Sequence, residues 1–416
     1  MISNKSRLLI ILFVSWFFTM CDRYVTQLLF PVFETLFLIP NEFVLIISTE
    51  AVWWAGYSTS AIIGGLLSDK FLRKKLISIT LFFYFVNTFL IAFALNLLVF
   101  IFFRIMSGLF AGTFFPLAIS LVSDAFPEKK EKSRAMGIYV SGAVFANAIA
   151  PLIIAYLIDS TNNILFANEW FHYSTVGNWG LIYQIFSIPL LIMSILVYFG
   201  FDEHVIIKDI DKSDQPPIRS IFTRNLNILL IFITLDLFEL WTLQQWLPYL
   251  FQVFFLTGVS AAGGFSAIGG FIGAFGAVIF GIIGGEQSKK TGKKKGNRLT
   301  LIIAVFGDCV GLLIFISLPK GQASIPYAII AIMLVIFAGT GEYAAIYTLI
   351  TESVPPSVSG KTMGICIGIA NFSTVGGLLI QGIVGSNSPT ILMILWIPII
   401  AALIQLPISY LYNPTD

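Results

Sequence analysis

Charge is scarce in this chain. Only 11% of its 416 residues are Asp, Glu, Lys or Arg, where a soluble domain carries about 25%. So little charge cannot dress a water-facing surface, which excludes a soluble domain. Histidine is scarcer still: His172 and His204 stand far apart, so neither a metal-ligand cluster nor a nucleophile with its base can be assembled, and an enzyme is not expected. Cys21, Cys309 and Cys366 all fall inside apolar runs. They offer no disulfide framework or metal spacing and read as small buried hydrophobes. The G-x4-G-K-[ST] phosphate loop is absent, which argues against ATP driving on this chain and leaves a separate ATPase subunit open. No cofactor is expected. A formal charge of +2 is too near neutral to point to nucleic acid.

What the chain has is apolar length. Hydrophobic residues make up 57% and the mean hydropathy is +0.91, so lipid must be the solvent for most of its surface. A helical span needs roughly 20 apolar residues to cross roughly 30 Å of hydrocarbon. Twelve such runs are found, at residues 8–37, 43–67, 76–95, 97–123, 136–158, 179–200, 226–255, 261–284, 299–318, 326–350, 362–384 and 390–411. The fold class expected is an all-α polytopic membrane protein. The first run lacks a small-residue cleavage site and reads as a retained span.

Threading these runs puts every lysine and arginine on the side of the N-terminus except Lys320, Arg23 and Arg104. By the positive-inside rule that side is cytoplasmic, and both termini are expected there, in the plasma membrane. A single missed span would move every later basic cluster to the wrong side, so the partition also supports the count. Residues 201–225, with a Pro-Pro pair and mixed charges, read as a linker between an N-terminal half, 1–200, and a C-terminal half, 226–416. On the other side, His172, in the loop 159–178 with Glu169 and Trp170, reads as an interfacial residue.

The halves echo one another. LFAGT at 109–113 returns as IFAGT at 336–340; Asp124 and Pro127 return as Glu352 and Pro355; Arg134, Met136 and Gly137 return as Lys361, Met363 and Gly364. Gly65, followed by Asp69, Lys70, Arg73 and Lys74, is echoed by Gly285 and its lysines. Two halves in like orientation are the parallel repeat that places a solute site between them near the midplane.

The segment GLLSDKFLRKK, Gly65 to Lys75, resembles the loop signature G-x3-D-R/K-x-G-R-R/K of the major facilitator superfamily, with Leu72 at the usual glycine. Arg104-x3-Gly108 resembles that family's fourth-span motif, and Asp124-x2-Pro127 with Arg134 the turn after it. The resemblance implies a twelve-helix carrier, working as a monomer, in which Gly65, Asp69, Lys70, Arg73, Lys74, Asp124 and Arg134 form a conformational latch. The physics agrees: Gly65 permits close helix approach, and Asp69 can accept from Arg73 or sit at the positive end of the eleventh span near Thr362. Asp22-Arg23-Tyr24 in the first span resembles organic-anion symporters and spinster-like members. Ala146-x3-Ala150-Pro151 departs from the G-x3-G-P of exporters.

Ionisable residues inside spans cost about 2.5–3.5 kcal/mol each and so mark function. The first half holds Asp22, Arg23, Glu50 and Arg104, which can neutralise one another. The second holds Asp236, Glu239, Asp308 and Glu342 with no base within its spans. Such acids take up a proton or bind a cation. Asp236, Glu239, Glu342 and Asp22 are the proton-coupling candidates, Asp236 and Glu239 sharing one helical face. Asp308 is expected to be peripheral, near headgroup water. Arg23, Arg104, Gln244, Gln245, Tyr343 and Tyr347 are the solute-binding candidates, with Trp241 and Trp246 as further cavity walls. The function expected is proton-coupled symport of a small organic solute, or else proton-driven antiport of lipophilic or cationic compounds, with sodium coupling open.

Overall fold

The computed structural model describes residues 3–29, 33, 36–39, 44–45, 47–68, 71–161, 179–202, 217–255, 259–384 and 391–413. Twelve long helices follow one another: α1 (Asn4–Leu28), α2 (Val52–Ser68), α3 (Arg73–Ile91), α4 (Leu97–Ala125), α5 (Lys129–Thr161), α6 (Trp179–Phe199), α7 (Arg224–Phe255), α8 (Val259–Thr291), α9 (Lys293–Ser317), α10 (Ile325–Glu352), α11 (Ser359–Val384) and α12 (Ile391–Leu411). No strand occurs among the described residues. Nine helices are long and apolar enough there to cross a membrane, and the chain is an all-α polytopic membrane protein. Helices are what lipid permits, because each satisfies its own backbone groups.

Local signals set the ends. The Ser3 hydroxyl accepts from the Ser6 amide at 3.1 Å to open α1, and Asn96 accepts from Val99 at 3.0 Å to open α4. Gly292, at φ 97°, separates α8 from α9 in a conformation that disfavours other residues. The first apolar run, expected to be one span over 8–37, is not one helix: α1 ends at Leu28, a turn follows at Leu29, and Pro31 comes two residues later. In the second, a π-helical turn, Ile47–Ala51, directly precedes α2.

Packing repeats with a period of six helices. Within α1–α6 the pairs are α2 on α4, α1 on α5, α3 on α6, α3 on α4 and α1 on α6; the pairs α8 on α10, α7 on α11, α9 on α12, α9 on α10 and α7 on α12 reproduce them. Two long seams, α5 on α8 and α2 on α11, join the two groups and are each other's counterparts. The ends of each group are fastened alike. Asn4 donates to the Asp202 carbonyl at 3.2 Å and accepts from its amide at 3.4 Å. Asn225 donates to the Asn413 carbonyl at 2.6 Å and accepts from its amide at 3.4 Å.

Glycine lets the seams close at the end of the bundle that carries the basic residues. A β-carbon on Gly65 would stand 2.7 Å from the Cα of Gly364 and 2.8 Å from the Gly360 carbonyl oxygen, so α2 and α11 meet backbone to backbone. On α5 and α8, a β-carbon on Gly285 would stand 2.7 Å from the Lys130 carbonyl oxygen.

Candidate functional site

Between the two groups of helices lies a small cavity of about 50 Å³. It is walled by aromatic rings, among them Trp16, Trp54, Trp241, Tyr343 and Tyr347, with Gln244, Asn147 and Asn371 supplying polar groups. Leu237, Trp241 and Gln244 recur at helical spacing on one face of α7, and Tyr343 and Tyr347 do so on α10. A mostly apolar wall with few polar groups is the usual build of a small-molecule site. Of the expected solute contacts, Gln244, Tyr343 and Tyr347 line this cavity. The side chains of Gln245 and Trp246 lie outside the described residues.

Arg23 and Arg104 sit behind the wall, in a buried quartet with Asp22 and Glu50. Glu50 joins the two bases, 3.1 Å from Arg23 Nε and 3.5 Å from Arg104 Nη2, and Gln27 donates to it at 3.3 Å. Asp22 lies 3.3 Å from Arg104 Nη1 and accepts from Tyr84 at 3.0 Å and Thr88 at 3.3 Å. Arg104 Nε donates to the Thr49 carbonyl at 3.1 Å, within the π-helical turn that also carries Glu50. Such turns free backbone acceptors and concentrate at functional sites. The Arg23 guanidinium lies 4.3 Å from the ring centroid of Trp241 and 5.0 Å from that of Trp54, both of which line the cavity. One layer of rings therefore separates the quartet from the central space.

The second group of helices holds a different cluster. Asp236 and Glu239 on α7, Asp308 on α9 and Glu342 on α10 are all at most 3% exposed. Asp236 faces Glu342, and Glu239 faces Asp308. Gln405 of α12 donates to Glu239 at 3.1 Å. Asp236 and Glu239 lie one step round α7 from its cavity-lining face, so the cluster stands behind the wall of the cavity. No base pairs with it among the described ion pairs. Asp308 is not peripheral, as the sequence reading had it; it is 2% exposed and belongs to this cluster.

At the basic end, Arg73 is ion-paired with Asp124, joining α3 to α4. Lys74 donates to the Phe201 carbonyl. Across the seam between α5 and α8, Lys130 pairs with Glu286, and the Ser133 hydroxyl of α5 donates to Asn297 of α9 at 3.3 Å. Arg134 is exposed, its stem beside Gly285. Asp69 and Lys70 lie outside the described residues. Sequence reasoning counted Glu50 among the buried charges without giving it a site role. The signal was a glutamate near the start of an apolar run that also holds Trp53 and Trp54.

The sequence profile described as Major Facilitator Superfamily matches residues 12–295. The proton:xylose symporter XylE bound to 6-bromo-6-deoxy-D-glucose aligns with TM-score 0.74 at 15% identity, over 99% of this chain and 96% of that one. FucP, the E. coli fucose:proton symporter, aligns in its outward conformation with TM-score 0.74 at 13% identity, over 99% and 100%. The human organic anion transporter MFSD10 (TETRAN) aligns with TM-score 0.71 at 14% identity, over 99% and 100%. At these identities the likeness is one of fold. No curated protein matches the chain significantly.

Proposed function

The chain belongs to the major facilitator superfamily, and on that premise we propose that it is a proton-coupled symporter of a small organic solute. The halves 1–200 and 226–416 rock about the central cavity, exposing it to one side of the membrane and then the other. Gly65, Gly285 and the ion pairs around Arg73 and Lys130 make up the closure at the basic end, which by the distribution of lysines and arginines is the cytoplasmic one.

The observation that carries the reading is the four-carboxyl cluster Asp236, Glu239, Asp308 and Glu342, buried without a cationic partner among the described residues. Four carboxylates cannot all stay ionised side by side in a low dielectric, so the cluster holds protons. Its place behind Trp241 and Tyr343 lets its proton count bias the α7 and α10 faces that line the cavity. A proton gained when the cavity faces one side and lost when it faces the other couples solute movement to the proton gradient.

The test is proton flux in vesicles containing the purified protein, recorded with an internal pH dye while solutes are added outside. Symport acidifies the interior as solute enters. Flux in the opposite sense would establish antiport, and solute uptake with no proton movement would overturn the coupling.

A further inference from the structure

At the basic end of the second half lies a cavity of about 630 Å³, between the starts of α7 and α9 and the end of α12. Arg224, Lys294 and Arg298 line it with Ser353, Tyr410 and Leu411, and no acid does among the described residues. The matching positions of the first half are less basic. The tie of Asn4 to Asp202 answers that of Asn225 to Asn413, so Ser3 stands for Arg224 and Asp202 for Asn413. Along the loop echo that pairs Lys74 with Lys294, Ser78 stands for Arg298. The lysines of that half are laid against protein, Lys74 on the Phe201 carbonyl and Lys5 over the Phe126 ring. Duplication alone therefore does not account for the basic cavity.

Arg224 opens α7, and Lys294 is in the first turn of α9. The starting end of a helix carries about half a positive charge, so both bases stand where their own charge is least favourable. Arg298 adds a third cation and is fixed in place. Its Nε donates to the Ser409 carbonyl at 3.4 Å and its Nη2 to that of Tyr410 at 2.7 Å, at the end of α12. Three cations and two helix starts around one recess suit an anion, and a guanidinium held in one plane suits a phosphate.

The rim tells which phosphate. Tyr410 and Leu411 are 58% and 55% exposed, and Leu403 and Ile404, about two turns back along α12, are exposed as well. On a membrane protein such apolar surface meets acyl chains, and a tyrosine beside bases marks the headgroup layer. We infer that this cavity holds the phosphate headgroup of an anionic phospholipid, whose chains run along α12. The headgroup bridges Arg224 on α7 to Lys294 and Arg298 on α9. It is separate from the central cavity, and it lies within one half, away from the α5–α8 and α2–α11 seams, so it strengthens that half without locking access.

The inference rests on the membrane fold and not on the coupling proposed above. The experiment is native mass spectrometry of the purified full-length protein in detergent. It is titrated with phosphatidylglycerol, with phosphatidylcholine of the same acyl chains, and with inorganic phosphate. Each base near a lipid surface contributes about fivefold in affinity for anionic lipid. The first phosphatidylglycerol should therefore bind at least about tenfold more tightly than the first phosphatidylcholine. Arg224→Gln and Arg298→Gln should each weaken it about fivefold. Lys290→Gln, at the same end but outside the cavity, should leave it unchanged. Arg224 is exposed, so its variant carries the test if Arg298→Gln, which loses its bonds to α12, fails to fold. Equal affinity for the two lipids, or a loss in Lys290→Gln as large as in Arg224→Gln, overturns the inference. So does inorganic phosphate that displaces phosphatidylglycerol at equal concentration, which would make this a site for a soluble anion.

Discussion

Gly65 on α2 and Gly364 on α11 touch backbone to backbone, a β-carbon on the first falling 2.7 Å from the Cα of the second. No side chain fits between them. Gly65→Val should hold this seam apart at a cost of about 1–3 kcal/mol, shifting the balance of access states by about 5- to 150-fold. Cysteine accessibility from the basic end of the bundle reads it, with increased labelling of residues near Thr362 expected. Unchanged labelling in a folded variant would show that the contact does not govern access.

Arg73 and Asp124 form an ion pair that is 6% exposed on each side. Arg73→Gln leaves Asp124 short of its charged partner and should cost about 1.5–3 kcal/mol. Adding Asp124→Asn should recover part of that loss. Thermal unfolding of the two singles and the double variant gives the coupling; strict additivity would mean that the pair contributes nothing.

In the acidic cluster, Asp236→Asn or Glu342→Gln should abolish accumulation driven by a pH gradient yet keep solute counterflow. Exchange needs only the loaded carrier to reorient, whereas uphill flux needs the proton to be released. Asp308→Asn belongs to the same test because its carboxyl faces Glu239. If all three variants accumulate solute normally, the carboxyls are structural.

Arg104 should behave differently. It reaches both Asp22 and Glu50 and is fully buried; removing one member of such a network costs about 3–5 kcal/mol because the partner charges stay behind. Arg104→Gln is expected to lower the melting temperature and to weaken accumulation and counterflow together. A variant with wild-type stability that loses only accumulation would place Arg104 in the coupling step instead.

The number and order of the helices were legible because lipid imposes a length and an apolar composition on each, and because basic residues gather at alternate ends. Which residues meet was much less so. In α9, Leu301, Ala304, Val305 and Leu312 are buried while Leu299, Ile303, Phe306 and Leu313 are exposed. Both stripes are apolar. In water, the polar stripe of a helix would have shown which face is inside; in lipid that contrast is missing, and Asp308 was read on the wrong side. The quartet was half legible for a related reason. Four charges in apolar runs had to find one another, but the pairing of Arg23 with Glu50, and of Asp22 with Arg104, depends on the rotation of α1 against α4 and on a π-helical turn without a plain sequence signal.

The hydrogen bonds of Asn4 to Asp202 and of Asn225 to Asn413 bear on how the molecule is made. Each set of six helices is tied by its own first and last turns, and both ties lie outside residues 203–216. Covalent continuity through that stretch is then not what keeps either set assembled. Two polypeptides, one ending and the other beginning within it, should find each other when synthesised in the same cell. The α5–α8 and α2–α11 seams would serve as their docking surfaces, and a complex isolated by a tag on one piece should contain both.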